Sequence, residues 1–392
     1  MLGGNKMIDI INKKDCTGCG ACFNACPKQA ISMKSDSKGF LYPEVEKSSC
    51  IECKICINKC PVINQNVTLS NYSEPLVFAA WSLDESIRIN STSGGIFSEL
   101  AKEVLKKGGY VVGAKYNAKH LVEHTLIDRE ADLIKLRQSK YIQSDVKDIY
   151  IRVKQLLQAK KLVLFVGSPC EIAGIRGYLG KDYENLILCD FVCRGTNSPK
   201  AYTEYLKELE KRYQSKIEKV WFKNKTKGWN LFSTKIIFQN GKEYIEDRNH
   251  DAFMLGYIHY NLFMRDCCSS CKYKKIPRIS DITLADFWGV GQHRSELDED
   301  KGTSLVMINS DKGKNLFDSI QNNVFSSECP IEWALQGNTC ILNVATKNKF
   351  SDDFFKELGT VSFEQLVHKY VKRNKKKSLK DVTRAIIRRL KN

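Results

Sequence analysis

Short apolar runs recur through most of this chain, and stretches of helical periodicity separate them. Residues 76–81 (LVFAAW), 110–116 (YVVGAKY), 161–167 (KLVLFVG), 185–191 (NLILCDF) and 303–309 (TSLVMIN) are six or seven residues long. That length and their β-branched and aromatic content suit buried strands. Between them, Phe97, Leu100, Ala101, Val104 and Leu105 fall at i, i+3, i+4, i+7 and i+8, one face of a helix. Val146, Ile149, Tyr150, Val153, Leu156 and Leu157 repeat the pattern. A third helix opens at Ser198 as N-cap, with Pro199 in its first turn. The alternation predicts a mixed α/β body, with a less regular antiparallel part around Trp221 to Tyr244.

The segment 65–75 (QNVTLSNYSEP) is polar, lacks periodicity and reads as a linker. At the other end, Leu379, Val382, Ile386 and Leu390 share a helical face behind a Ser378 cap, with Asp381 at the third position. Residues 369–392 hold 11 Lys or Arg against one Asp, so ten of the 17 net positive charges of the 392-residue chain sit there. The charge is a tail property, which argues against a nucleic-acid-binding body. The tail suits an anionic membrane surface or an acidic partner, and equally a solvated terminus. No run of 18 apolar residues is present, and the first residues lack a secretory pattern. The expected setting is cytoplasmic, with a peripheral membrane contact as an option for the tail.

Sixteen cysteines change the picture. Residues 16–27 (CTGCGACFNACP) and 50–61 (CIECKICINKCP) both follow C-x₂-C-x₂-C-x₃-C-P. In a reducing compartment, neighbours so close share a metal rather than form disulfides. Zinc sites show two separated pairs instead. In bacterial two-cluster ferredoxins the fourth Cys of each run serves the other 4Fe–4S cluster. Cys16, Cys19, Cys22 and Cys60 would then hold one cluster, and Cys50, Cys53, Cys56 and Cys26 the second. Residues 6–64 hold nine Lys against six Asp or Glu, which suits a built-in relay better than an acidic diffusing carrier.

Three segments of the body carry candidate chemistry. In 90–100 (NSTSGGIFSEL), Ser93, Gly94 and Gly95 lead into a helix whose free N–H groups suit a phosphate, or simply a cap. In 137–146 (RQSKYIQSDV), Lys140 offers charge, Tyr141 stacking, and Gln143 and Ser144 hydrogen bonds; a solvated turn capped by Ser144 is the plainer alternative. In 164–175 (LFVGSPCEIAGI), a strand end presents Cys170 where open α/β sheets bind ligands. The run 265–273 (RDCCSSCKY) holds a C-x₂-C at Cys268 and Cys271. With Cys170 and Cys193, each just past a strand, it would complete a third metal site. A structural zinc or uncoordinated thiols are the alternatives. The C-x₃-C-x₂-C spacing of radical SAM enzymes is absent.

Taken in order, Ser93-Gly94-Gly95, SKYIQS, GSPCEIAGI, CRGTNSP, FKNKTKGW, RDCCSSCKY and SDITLADFWG resemble the beta subunit of coenzyme F-420 hydrogenases and dehydrogenases. That family also includes chlorophyll-pathway reductases. The resemblance covers about Glu74 to Asn309, with the ferredoxin-type region beside it. It implies a flavoprotein in which FAD joins iron–sulfur clusters to a two-electron substrate or coenzyme. Ser93, Gly94, Gly95, Lys140, Gln143 and Ser144 would lie around the flavin. Cys170, Cys193, Cys268 and Cys271 match family cysteines, and Asp286, Phe287 and Trp288 a signature without an assigned role. The implied division is a ferredoxin-type domain (1–64), a linker (65–75), N- and C-terminal family domains (76–155 and 156–345) and a basic helical tail (346–392). The chain departs at Arg194 and Thr196, where His and Val are common, at Ala285, where Gly is usual, and at the extra Cys267. These leave the substrate open, including whether F-420 is used.

A flavin bridges one-electron clusters and a two-electron acceptor. The leading expectation is therefore a ferredoxin-linked flavin oxidoreductase, with a ferredoxin or similar redox partner and a small-molecule or coenzyme substrate. The rivals are a non-catalytic electron-transfer subunit docking on a partner enzyme, in a polysaccharide or other biosynthetic pathway, and a glycan-binding body with regulatory clusters.

Overall fold

The computed structural model describes residues 7–64 and 70–373. Two strands, β1 (Ile31–Ser35) and β2 (Leu41–Val45), form an antiparallel hairpin between the two cysteine runs. The body follows with β3 (Leu76–Ser82), β4 (Tyr110–Tyr116), β5 (Val122–Ile127), β6 (Ser144–Asp145), β7 (Val163–Gly167) and β8 (Leu186–Phe191). Next come β9 (Ile217–Asn224), β10 (Ser233–Phe238), β11 (Glu243–Asp247), β12 (Ile282–Asp286), β13 (Ser304–Ile308) and β14 (Val324–Glu328).

One nine-stranded sheet runs β14-β3-β13-β12-β8-β7-β4-β5-β6. Its middle, β12-β8-β7-β4, is parallel; β14, β3, β13 and β12 pair antiparallel, as do β4 and β5. The continuous apolar runs end up here because both faces of these strands are covered. All five residues of β13 are buried. Strands from 76–155 and from 156–345 thus share one sheet. The region around Trp221 to Tyr244 becomes a separate antiparallel sheet, β11-β10-β9.

Two expectations shift. The periodicity through Val146 to Leu157 predicts one helix, but the helix spans only Ile149–Gln158. Ser144 and Asp145 pair instead with Val122 and Glu123, which draws Val146 out of the helix. Ser144 is therefore no cap. The stretch assigned to a basic tail from 346 onward also begins as core. Phe350, Phe354, Phe363, Leu366, Val367 and Tyr370 are buried against Tyr202, Tyr205 and Phe253, because this stretch is aromatic before it is basic. The amphipathic run from Ser378 onward, with its membrane or partner contact, lies outside the described residues. Of the polar segment at 65–75, Asn71 donates to the carbonyls of Arg278 and Ser280, and the Tyr72 amide to that of Asn309.

The cysteine-rich module packs hard against the body. The short helix Ala21–Ala25 lies against the helix Pro169–Leu179. The Tyr150 hydroxyl donates to the Cys19 carbonyl (2.9 Å), and the Asn24 amide to that of Lys147 (2.8 Å). Contact is close at Gly174. A Cβ there would stand 2.7 Å from the Tyr150 oxygen and 2.9 Å from the Cys19 Cβ. Gly174→Val is expected to force these surfaces apart at a cost of about 1–3 kcal/mol. Thermal melts of the anaerobic protein should fall by several degrees, and iron counting should show loss from the adjoining cysteine group.

Candidate functional site

The cysteines of the module fall into two cages, each drawing from both runs. Cys16, Cys19, Cys22 and Cys60 line one small cavity with Gly18 and Gly20. Cys26, Cys50, Cys53 and Cys56 line the other with Met7 and Ile31. The chain folds this way because each run bends at a left-handed residue, Gly20 or Lys54, before a short helix that carries its third Cys. The first four thiols are buried, and burial pushes Cys16 and Cys60 up, Cys19 up to about 12, and Cys22 well above the ordinary range. Buried thiols become thiolates only when a cation group compensates them. In the second cage Cys53 is exposed and the other three are half-buried. Among the described residues, no three His, Cys, Asp or Glu side chains are spaced to grip one metal ion. Thiols around a cage suit a polynuclear guest.

A cavity of about 570 Å³ opens at the carboxyl ends of β4, β7, β8 and β12. Binding crevices of open α/β sheets lie at such ends. Cys170, Cys193, Cys268 and Cys271 all line it, as do Cys267 and Cys340. Cys170 sits in the first turn of Pro169–Leu179, which a Ser168–Glu171 capping box fixes. Its thiol lies 3.2 Å from the Ser168 hydroxyl. Cys193 follows β8, and the Thr196 amide donates to the Cys268 sulfur (3.4 Å). Burial raises Cys170 and Cys271 and takes Cys193 to about 12; the neighbouring Cys267 thiol raises Cys268. Tyr273 is within electrostatic reach of Cys19 and Cys60 as well as Cys170 and Cys271, and its hydroxyl has no partner.

The other expected residues spread along the same cavity. Ser93, Gly95, Lys140, Gln143 and Ser144 line it; Gly94 lies behind, its amide donating to the Ser304 hydroxyl (2.9 Å). Gly95 has φ 92 and caps the helix Ile96–Lys106, whose first turn faces the cavity. The Lys140 ammonium donates to the carbonyls of Leu136, Arg137 and Gln138, and burial takes its pKa down to about 7. Gln143 accepts from the Leu41 amide (2.8 Å), while its own Nε2 is buried without an acceptor.

Sequence reasoning missed several groups. His124 is buried in the cavity wall, its Nδ1 2.7 Å from the Ser144 hydroxyl and its Nε2 without a hydrogen-bond partner. Lys223 pairs with Asp286, which also accepts from Trp229 Nε1 (2.7 Å). Trp229 stacks on Trp288 at 4.6 Å, and the Lys223 ammonium lies 4.9 Å from that ring. This joins FKNKTKGW to SDITLADFWG and shows what Asp286 and Trp288 touch; Phe287 is fully buried core. Both segments were visible, but their pairing across some sixty residues was not. Asp190 and Arg278 form a buried pair at 2.8 Å, and Arg278 also donates to the Tyr273 carbonyl (3.0 Å), tying the Cys271 loop to β8.

No curated protein matches the chain. One solved match is a chain of the F420-reducing [NiFe] hydrogenase complex from Methanosarcina barkeri, studied by xenon derivatization. It is 16% identical, with a TM-score of 0.45, over 77% of this chain and 92% of that one. Family models match a 4Fe-4S dicluster domain at residues 15–64, the N-terminal part of the coenzyme F420 hydrogenase/dehydrogenase beta subunit at 77–149, and its C terminus at 160–332. The chain belongs to the coenzyme F420 hydrogenase/dehydrogenase beta-subunit family and joins to it a 4Fe-4S dicluster domain.

Proposed function

We propose that the protein is an iron–sulfur flavoprotein oxidoreductase that carries single electrons between its surface and a flavin in the large cavity, where they are exchanged in pairs with a substrate or coenzyme. The observation that carries this reading is the placement of three cysteine groups, one at the surface, one buried against the body and one along the cavity. Cys26, Cys50, Cys53 and Cys56 form an outer group with an exposed member. Cys16, Cys19, Cys22 and Cys60 form a buried group against the body. Cys170, Cys193, Cys268 and Cys271 line the cavity, with Tyr273 near both inner groups.

In this reading the outer and buried groups hold the two clusters of the dicluster domain, and the cavity group holds a third. The donor set fits, since each group offers four thiols around a space. FAD would supply the change from one- to two-electron transfer. The cavity is within the usual size range for ligand sites. Ser93, Gly95 and the N-terminus of Ile96–Lys106 would face its phosphates. Lys140, Gln143 and Ser144 would position it by charge and hydrogen bonds, with the unpaired Gln143 Nε2 as a donor in waiting. Another part of the lining, with Lys223, Trp288 and Arg248, would receive the exchanging substrate. The exposed Cys53 also suits a second reading, an electron-transfer subunit docked on a partner through the outer group.

Protein purified without oxygen is expected to carry about twelve iron atoms per chain and one flavin. Cys170→Ala should remove about four irons while leaving the dicluster domain loaded. An iron count of about eight in the wild type would remove the third cluster, and absence of flavin absorbance would overturn the oxidoreductase reading. Reduction of a soluble acceptor by the isolated chain separates it from the docked-subunit reading.

Lys140 gives a pH test. Its folded pKa of about 7 lies below the usual lysine value. From about pH 7 to 10.5 the unfolded chain binds a proton that the folded chain does not, so stability rises with pH across that window. Lys140→Met should abolish its share of the rise and leave that of Lys225, whose pKa burial also takes to about 7. Melting temperatures at pH 7 and pH 9 check this.

A further inference from the structure

Arg265 is fully buried between the cysteine-rich module and the body. Its Nε donates to the Cys16 carbonyl (3.1 Å), one Nη to Gln143 Oε1 (3.1 Å) and the other to the Leu41 carbonyl (3.0 Å). The guanidinium lies 4.1 Å from the centre of the Tyr42 ring and 5.3 Å from that of Phe40. Each of these partners is neutral. Among the described residues no carboxylate lies within ion-pair distance, and the adjoining Asp266 pairs with Lys347 at 2.7 Å. Hydrogen bonds satisfy its donors but do not compensate its charge, and a buried uncompensated cation is costly. The groups within electrostatic reach that can turn negative are the thiols of Cys267, Cys16 and Cys268 and the Tyr42 hydroxyl.

We propose that Arg265 is an electrostatic positioning residue for the inner cluster of the dicluster domain. Its fixed charge raises that cluster's reduction potential relative to the outer cluster and so draws electrons to the body side of the module. The inference rests on the cluster assignment proposed above. A 4Fe–4S cluster gains one negative charge when it accepts an electron. A buried cation beside the Cys16 ligand stabilises that added charge in a medium that screens poorly. The outer cage, with its exposed Cys53, has solvent to do the same work. The placement explains why a guanidinium stands here: its three nitrogens reach the carbonyls of Cys16 and Leu41 and the Gln143 side chain, and so hold its charge beside the Cys16 ligand.

The test is an EPR-monitored redox titration of the full anaerobic protein, with Cys53→Ser identifying the outer cluster's signal and Cys170→Ala that of the cavity cluster. Arg265→Met should lower the inner cluster's reduction equilibrium by about tenfold, about 59 mV for a one-electron couple, and leave the outer one in place. Arg265→Lys, which keeps the charge, should stay close to wild type. An unshifted inner potential in the Met variant with full iron content would overturn the proposal and leave Arg265 a docking staple. Equal shifts of both clusters would also overturn it. Should the Met variant lose inner iron, Arg265→Gln is the second neutral variant. Loss of iron in both neutral variants but not in the Lys variant supports the charge role, and loss in all three overturns it. A wild type with fewer than two clusters defeats the cluster assignment itself, which the iron count reveals before any variant is made.

Discussion

The close contact between the first cysteine run and the helix Pro169–Leu179 is the constraint on which the rest depends. Gly174 leaves room for Cys19 and Tyr150 to meet across it, and the Tyr150 hydroxyl holds the Cys19 carbonyl. That contact turns a ferredoxin-like module into one wall of the body. It buries Cys19 among body residues and sets the inner cysteine group beside the helix whose first turn carries Cys170. A module that merely hung from a linker would leave neither group near the sheet.

Burial then governs the electrostatics. The four thiols of the inner cage, and Cys170, Cys193, Cys268 and Cys271 in the cavity, are held above their ordinary pKa, so they remain neutral until a cationic guest arrives. Lys223 is paired with Asp286 and Arg278 with Asp190, whereas Arg265 and Lys140 are met by neutral oxygens. The paired charges serve as braces, Arg278 tying a cysteine loop to β8. The unpaired ones mark places where a negative guest would complete the charge balance.

Ligand spacing and apolar runs were local, and they were legible. The two C-x₂-C-x₂-C-x₃-C-P runs announced an interlocked pair of cages, and the cavities drawn from both runs have that composition. The strand runs near 76, 110, 163, 186 and 304 supply five of the nine strands of the large sheet, and Ser198 caps its helix, its hydroxyl accepting from the Ala201 amide. Where a helix period overran a strand pairing, as at Val146, the local pattern misled, because a partner in β5 outweighed helical propensity. The aromatic stretch from Phe350 was misread for a similar reason: its charge lies farther along, and its rings found a core.

The sequence by itself determined the metal-binding vocabulary, the family and most of the central strands of the large sheet, since each is written in residues close together along the chain. Only the tertiary structure decided how the parts meet. His124 beside Ser144, Lys223 with Asp286, and Arg265 among Cys16, Leu41 and Gln143 are contacts between segments tens to hundreds of residues apart. No spacing rule reports such pairs, because the sheet and the docked module, rather than the local chain, set their distances.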